Sequence, residues 1–186
     1  MRSLPPQVEA DISRLANVSV DLATTALQAW EGPETIAALA LSFNATEQDA
    51  LCTTYMWALS ADRRDELWAE PTLPKGFWVA ERWPLEFPLP LIADDEWALC
   101  QRLAVQLEQE YGIDWPPPFV IDRAARALAA RLRETEIVPL TPDFLVFTYP
   151  EYDPEFIESS ATFAVGPEAL RTWRDAGCFR DETGRA

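Results

Sequence analysis

The sequence predicts an α+β fold: an antiparallel sheet of at least four strands, covered by amphipathic helices. Three observations point there. Apolar residues recur at helical spacing in several separate stretches. Short apolar, β-branched or aromatic runs lie between those stretches. Gly, Pro and polar clusters divide one kind of segment from the other. At 186 residues the chain has the length of one domain, which buries roughly 70% of its unfolded surface. Residues 1–186 are therefore read as a single α+β domain.

The first helix is expected over about 6–31. Val8, Ile12, Leu15, Leu22, Ala26 and Ala29 recur at spacings of three, four and seven, and Gly32-Pro33 cannot continue a helix. Ser13, Arg14, Asp21 and Thr24 fall mostly outside that stripe. Residues 35–43 and 50–59 then read as an antiparallel hairpin across the polar joint 44–49. Leu39, Leu41 and Phe43 share one face, and Leu51, Thr53, Tyr55, Trp57 and Leu59 share another.

Asp62–Trp68 reads as one or two helical turns. After it, Pro71, Pro74, Pro84, Pro88 and Pro90 exclude regular helix and central strand. The same stretch carries Phe77, Trp78, Trp83, Phe87 and Leu89, which need shielding from water. The Pro/Trp-rich segment 71–92 is thus expected to pack on the body as an ordered lid. Core packing accounts for Trp78 and Trp83; a ligand platform of exposed rings is the alternative.

Asp94-Asp95-Glu96 opens a second helix with acids where its dipole favours them, and Gly112 closes it. Trp97, Cys100, Leu103, Ala104, Leu107 and Tyr111 form its inner stripe. Trp115-Pro116-Pro117-Pro118 reads as a stiff extended connector. A third helix follows at about 119–134, with Ile121, Ala125, Leu128 and Leu132 inward. Its Arg123, Arg126, Arg131 and Arg133 are expected to serve as salt-bridge donors within the chain rather than as an anion site. Asp143–Tyr149 is the clearest strand, Ser160–Val165 a weaker one. Gly166-Pro167 fits an N-cap and a first-turn proline opening a short last helix that stops at Gly177. The tail 180–186 is expected to fray.

Composition excludes several chemistries. No histidine is present, so there is no Ser-His-Asp triad, Cys-His pair or imidazole switch. Fifteen basic against 31 acidic residues give a net charge of −16, which opposes phosphate-backbone binding, and neither nucleic acid nor membrane is an expected partner. The acidity has a bland explanation, solubility, and a sharper one, an acidic face that draws in a partner. Cys52, Cys100 and Cys178 show no metal or redox spacing and sit in apolar surroundings, as buried reduced thiols do. The amino-terminal residues lack a signal-peptide pattern and no run is long enough to span a bilayer, so a cytoplasmic location is expected. No P-loop, dinucleotide fingerprint, nucleophile elbow or EF-hand pattern occurs, and no cofactor or metal is expected. Carboxylate pairs alone could still support a hydrolase, but 31 acids make some close pair a matter of numbers.

The segment 150–158 stands out. Glu151, Tyr152, Asp153, Glu155, Phe156 and Glu158 lie in what reads as the connection between the last two strands. Aromatic anchors ringed by charge are the composition of a protein-binding hot spot, with the acids steering and Tyr152 and Phe156 anchoring. A solvated acidic loop with Phe156 turned inward is the plain alternative.

Val138–Phe147, then Ser160–Pro167 and a helix ending at Ala176-Gly177, together with Trp78–Pro84, resemble a bacterial domain family of unassigned function. That resemblance spans most of residues 6–178 and implies fold, with no active-site residue to transfer. In general character the chain also resembles the immunity proteins of polymorphic toxin systems. This implies a non-catalytic acidic binding protein that occludes a basic toxin or effector. An acidic nucleic-acid mimic that inhibits a DNA-binding enzyme is the second expectation, and a carboxylate-only hydrolase the third. The leading expectation requires the negative charge to gather on one exposed region.

Overall fold

The computed structural model describes residues 4–42, 51–70, 77–113, 116–149 and 154–179. In order they form α1 (Pro6–Gln28), β1 (Ile36–Ser42), β2 (Tyr55–Ser60), α2 (Ala61–Trp68), one 3-10 turn (Ala80–Arg82), β3 (Leu85–Pro88), α3 (Asp94–Tyr111), α4 (Pro116–Thr135), β4 (Leu140–Tyr149), α5 (Pro154–Val165) and α6 (Arg171–Asp175). The four strands make one sheet in the order β3-β2-β1-β4. The fold is α+β, with helices covering the sheet. Among the described residues no helix is long and apolar enough to cross a membrane.

The hairpin forms as expected, β1 pairing antiparallel with β2, and β2 with β3. β4, however, runs parallel to β1, so the sheet is mixed rather than wholly antiparallel. The reason lies in residues 160–165, expected as a strand that would fold back on β4. They belong to helix α5 instead. Buried Ile157, Ala161 and Ala164 recur at spacings of four and three, a helical period that a short Ala- and Ser-rich run disguises as strand. With no hairpin partner, β4 reaches β1 after α3 and α4, the long crossover that a parallel pair requires. The fourth strand comes from the proline segment. β3 lies at the sheet edge, the position where prolines cost no ladder hydrogen bond.

β1 is buried along its whole length because both faces of the sheet are covered. One face presents Leu39, Leu41, Met56, Ala58, Phe144 and Val146 to α1 and α4. The opposite face presents Ala38, Ala40, Trp57, Leu59, Leu145 and Phe147 to Phe77, Trp78, Trp83, Ile157, Leu170 and Trp173. Small alanines on β1 leave the room those rings occupy. The described part of the Pro/Trp segment, from Phe77 onward, thus packs on the body. Trp78 and Trp83 are core, not a platform, and their Nε1–H groups donate to the Cys178 and Phe77 carbonyls at 2.6 and 3.0 Å. A third cluster joins Val8, Ile12 and Leu15 of α1 to Leu99, Cys100, Leu103 and Leu107 of α3.

Three helices depart from expectation. The last, α6, begins at Arg171 with Leu170 as its cap, while Gly166, at φ 85°, follows the end of α5. On α1 the buried set continues through Ser19, Val20, Ala23, Thr24 and Leu27, while Leu22 and Ala26 are half-buried and Ala29 is exposed. A heptad-like reading drifts off the face of a straight helix with 3.6 residues per turn. Pro116–Pro118 are the first turn of α4, not an extended connector. First-turn N–H groups have no intrahelical partners, so proline's lack of one is harmless there. α1 stops before Gly32, where a Cβ would fall 2.2 Å from the Trp30 indole.

Candidate functional site

Of the six residues singled out in 150–158, Glu151, Tyr152 and Asp153 lie outside the described residues. Glu155, Phe156 and Glu158 stand on the first turns of α5, not on a loop between two strands. Phe156 is half-buried against the Trp-rich cluster, the arrangement of the plain alternative in which the ring turns inward. Glu158 accepts a hydrogen bond from Arg174 Nε at 2.5 Å, so its charge is answered within the chain.

A different group of aromatic and acidic side chains comes together at one end of the sheet. Tyr55 and Trp57 are two apart on β2 and therefore share a face. Their rings stack with centroids 5.8 Å apart, and Tyr55 is 45% exposed. Trp57 meets Tyr149 of β4 edge-on at 5.8 Å. The buried Tyr149 hydroxyl donates to Glu81 Oε2 at 2.5 Å. Glu86 of β3 is the cross-strand partner of Trp57. Both carboxylates are exposed. This corner joins an exposed ring, a supported aromatic row and two acids. Such a surface attracts an arginine or lysine side chain, which gains from the π-face and from the carboxylates together.

The sequence reading missed these five residues. The available signal was Tyr55-x-Trp57 in an otherwise small-residue strand. A second was Pro84 and Pro88 bracketing a short edge strand that brings Glu86 opposite Trp57.

Two buried polar groups elsewhere hold elements together. Asp122 Oδ1 accepts from Thr148 Oγ1 at 2.6 Å and Ser160 Oγ at 2.5 Å, and Ser160 Oγ accepts the Thr148 N–H at 2.8 Å. Burial raises the Asp122 carboxyl above the usual carboxylate range, against the two hydrogen bonds, which lower it. Every polar atom of Ser160's side chain is thereby engaged. In the second group Arg64 of α2 reaches Asp143 at 2.7 Å, where the β1–β4 ladder is irregular between Leu140 and Leu145. The two side chains are only 11% and 14% exposed. Arg64 also lies over the Trp68 ring, 4.6 Å from its centroid. Burial pushes the Cys178 thiol up to about 12, leaving it protonated.

Two of the four α4 arginines form the salt bridges the sequence suggests, while Arg126 meets a ring and Arg133 donates to the Phe144 carbonyl. Arg123 binds Glu9 at 2.5 Å and lowers that carboxyl's pKa, Arg131 binds Asp21, and Arg126 lies over the Phe163 ring. Further pairs join Arg14 to Asp95, Arg63 to Glu66, and Arg171 to Glu168. The paired carboxylates are spread over α1, α2, α3, β4, α5 and the turn before α6. Among the described residues no group of three or more metal-binding side chains occurs. Comparison with protein-family models, curated proteins and solved structures finds no match for the chain.

Proposed function

We propose that the chain is a non-catalytic acidic protein that captures and occludes a basic protein partner, in the manner of an immunity protein blocking a toxin or effector. The observation that carries this reading is the exposed Tyr55, stacked on Trp57 beside Glu86 and the Glu81–Tyr149 pair. Charge supports it. Fifteen cations cannot neutralise 31 acids however they are paired, so a field of net −16 surrounds the molecule. Seven described arginines are already held by carboxylates of this chain. The field accelerates encounter with a basic surface, and the aromatic corner supplies the short-range contact that slows release. Glu151, Tyr152, Asp153 and Glu155 remain candidates for steering and anchoring.

The products of reading frames adjacent to the chain's own are the partners to test. The immobilised protein is expected to retain a basic product. Tyr55→Ala should raise its dissociation rate about tenfold or more, the effect of removing an interface anchor worth over 1.4 kcal/mol. Glu81→Gln with Glu86→Gln should slow association at low salt. Retention of no neighbour, or retention indifferent to all three changes, overturns the reading.

A further inference from the structure

The three cysteines divide into a pair and a single residue. Cys178 belongs to the Trp-rich cluster on one face of the sheet. Cys52, in the segment leading into β2, and Cys100, on the inner side of α3, both belong to the cluster that joins α1 to α3. They are 48 positions apart in sequence, yet their Sγ atoms lie 3.7 Å from one another. The two residues are 3% and 0% exposed. A disulfide bond is about 2.0 Å long, so closing the gap takes a shift of under ~2 Å, within reach of small side-chain rotations. Cys52 Sγ also lies 3.8 Å from the Leu15 carbonyl, which keeps it in the crevice between α1 and α3.

We infer that Cys52 and Cys100 are a redox pair, which a small peroxide converts into an internal disulfide. One sulfur attacks the peroxide O–O bond, forming an S–OH group and releasing one water. The second sulfur then displaces that hydroxyl, which leaves with the second thiol's proton as another water. Two thiols lose two electrons, and one hydrogen peroxide is reduced to two waters. The hydrogen bond with the Cys100 thiol, and then burial, hold Cys52 protonated, well above the ordinary range. The reaction is accordingly slow and selective for an oxidant small enough to enter, which a bulky disulfide such as glutathione disulfide is not.

The bond would fasten the segment 51–54 to α3. Thr53, the neighbour of Cys52, already ties that segment to the sheet and to α1. Its Oγ1 donates to the Ser42 carbonyl at 2.6 Å, and its N–H donates to Ser19 Oγ at 3.0 Å. Oxidation therefore clamps the segment that leads into β2, three residues before Tyr55. This inference stands on the cysteine geometry alone, independently of any partner.

The test uses the full chain, reduced, desalted and exposed to hydrogen peroxide under native conditions, then unfolded and treated with N-ethylmaleimide. The expected product is lighter by about 2 Da before labelling and takes up one maleimide, on Cys178. A non-reducing peptide map joins the Cys52 and Cys100 peptides, and dithiothreitol restores all three labels. Cys100→Ala and, separately, Cys52→Ser abolish the 2 Da loss. Three labelled thiols after peroxide, sulfinic acid on Cys52 or Cys100 without a cross-link, or a bond that includes Cys178 would each overturn the assignment.

Discussion

Asp122 is a single residue that joins three elements. Its carboxyl serves β4 through Thr148 and α5 through Ser160, while its own backbone is in α4. Asp122→Ala leaves two buried hydroxyl donors without an acceptor, a loss of about 1–3 kcal/mol in urea unfolding. The pH dependence has a definite sign. The carboxyl's pKa in the fold lies above its ordinary value, chiefly through burial. The fold therefore keeps a proton that the unfolded chain releases, and stability falls as pH rises through that interval. The contribution is complete below the ordinary carboxylate range and lost above the folded value. Asn at 122 keeps an acceptor oxygen and cannot ionise. The stability of Asp122→Asn relative to the natural protein should thus rise from pH 3.5 upward and then level off. A flat or falling difference across pH 3.5–7 would show that burial does not dominate the carboxyl.

At the scale of elements, α5 decides how β4 is finished. β4 is an edge strand, and an open edge pairs readily with other chains. Here its outward groups are met by side chains: the Thr148 N–H by Ser160, the Phe144 carbonyl by Arg133 and the Asp143 carbonyl by Trp173. Ser160→Ala removes the acceptor for a buried backbone N–H and should cost about 1–3 kcal/mol. It should also raise the rate of concentration-dependent aggregation in mild denaturant. A variant that loses stability without aggregating would place the protection elsewhere. The same element shows how far the sequence could be read. The long helices, the hairpin and β4 carry enough periodic or β-branched residues to declare themselves. In Ser160–Val165 the period is supplied by Ile157, Ala161 and Ala164, and alanines fit either kind of structure. Misreading that one segment also misplaced the acidic residues 155–158 on a strand connection and made β4 antiparallel. The corner of Tyr55, Trp57, Glu81, Glu86 and Tyr149 was illegible for a different reason. It draws on β2, β3, β4 and a 3-10 turn, and only the strand order brings them together.

At the scale of the whole molecule, the surplus charge bears on stability and, under the proposed function, on encounter, and salt should move the two in opposite directions. The chain confines a net charge of −16 within a body whose radius of gyration is about 16 Å for this length. At 10 mM ionic strength the screening length is about 30 Å, so carboxylates on opposite sides repel one another. At 150 mM it is about 8 Å, and only near neighbours interact. Salt also weakens the ion pairs, but the exposed ones, such as Arg14–Asp95 and Arg63–Glu66, contribute about 0–1 kcal/mol each. Arg64–Asp143 is sheltered and screened little. Self-repulsion is therefore the larger effect, and the unfolding temperature should rise by several degrees between 10 and 150 mM NaCl. The rise should flatten by about 0.3 M, where screening is nearly complete, whereas an excluded-solute effect would keep growing into the molar range. Over the same interval, association with a basic partner should slow by about tenfold or more, because the field that destabilises the fold is the one that attracts. Stability that is flat or falls with salt would mean that the ion pairs outweigh the surplus. The acids would then have to be neutralised locally to a degree that leaves no field for steering.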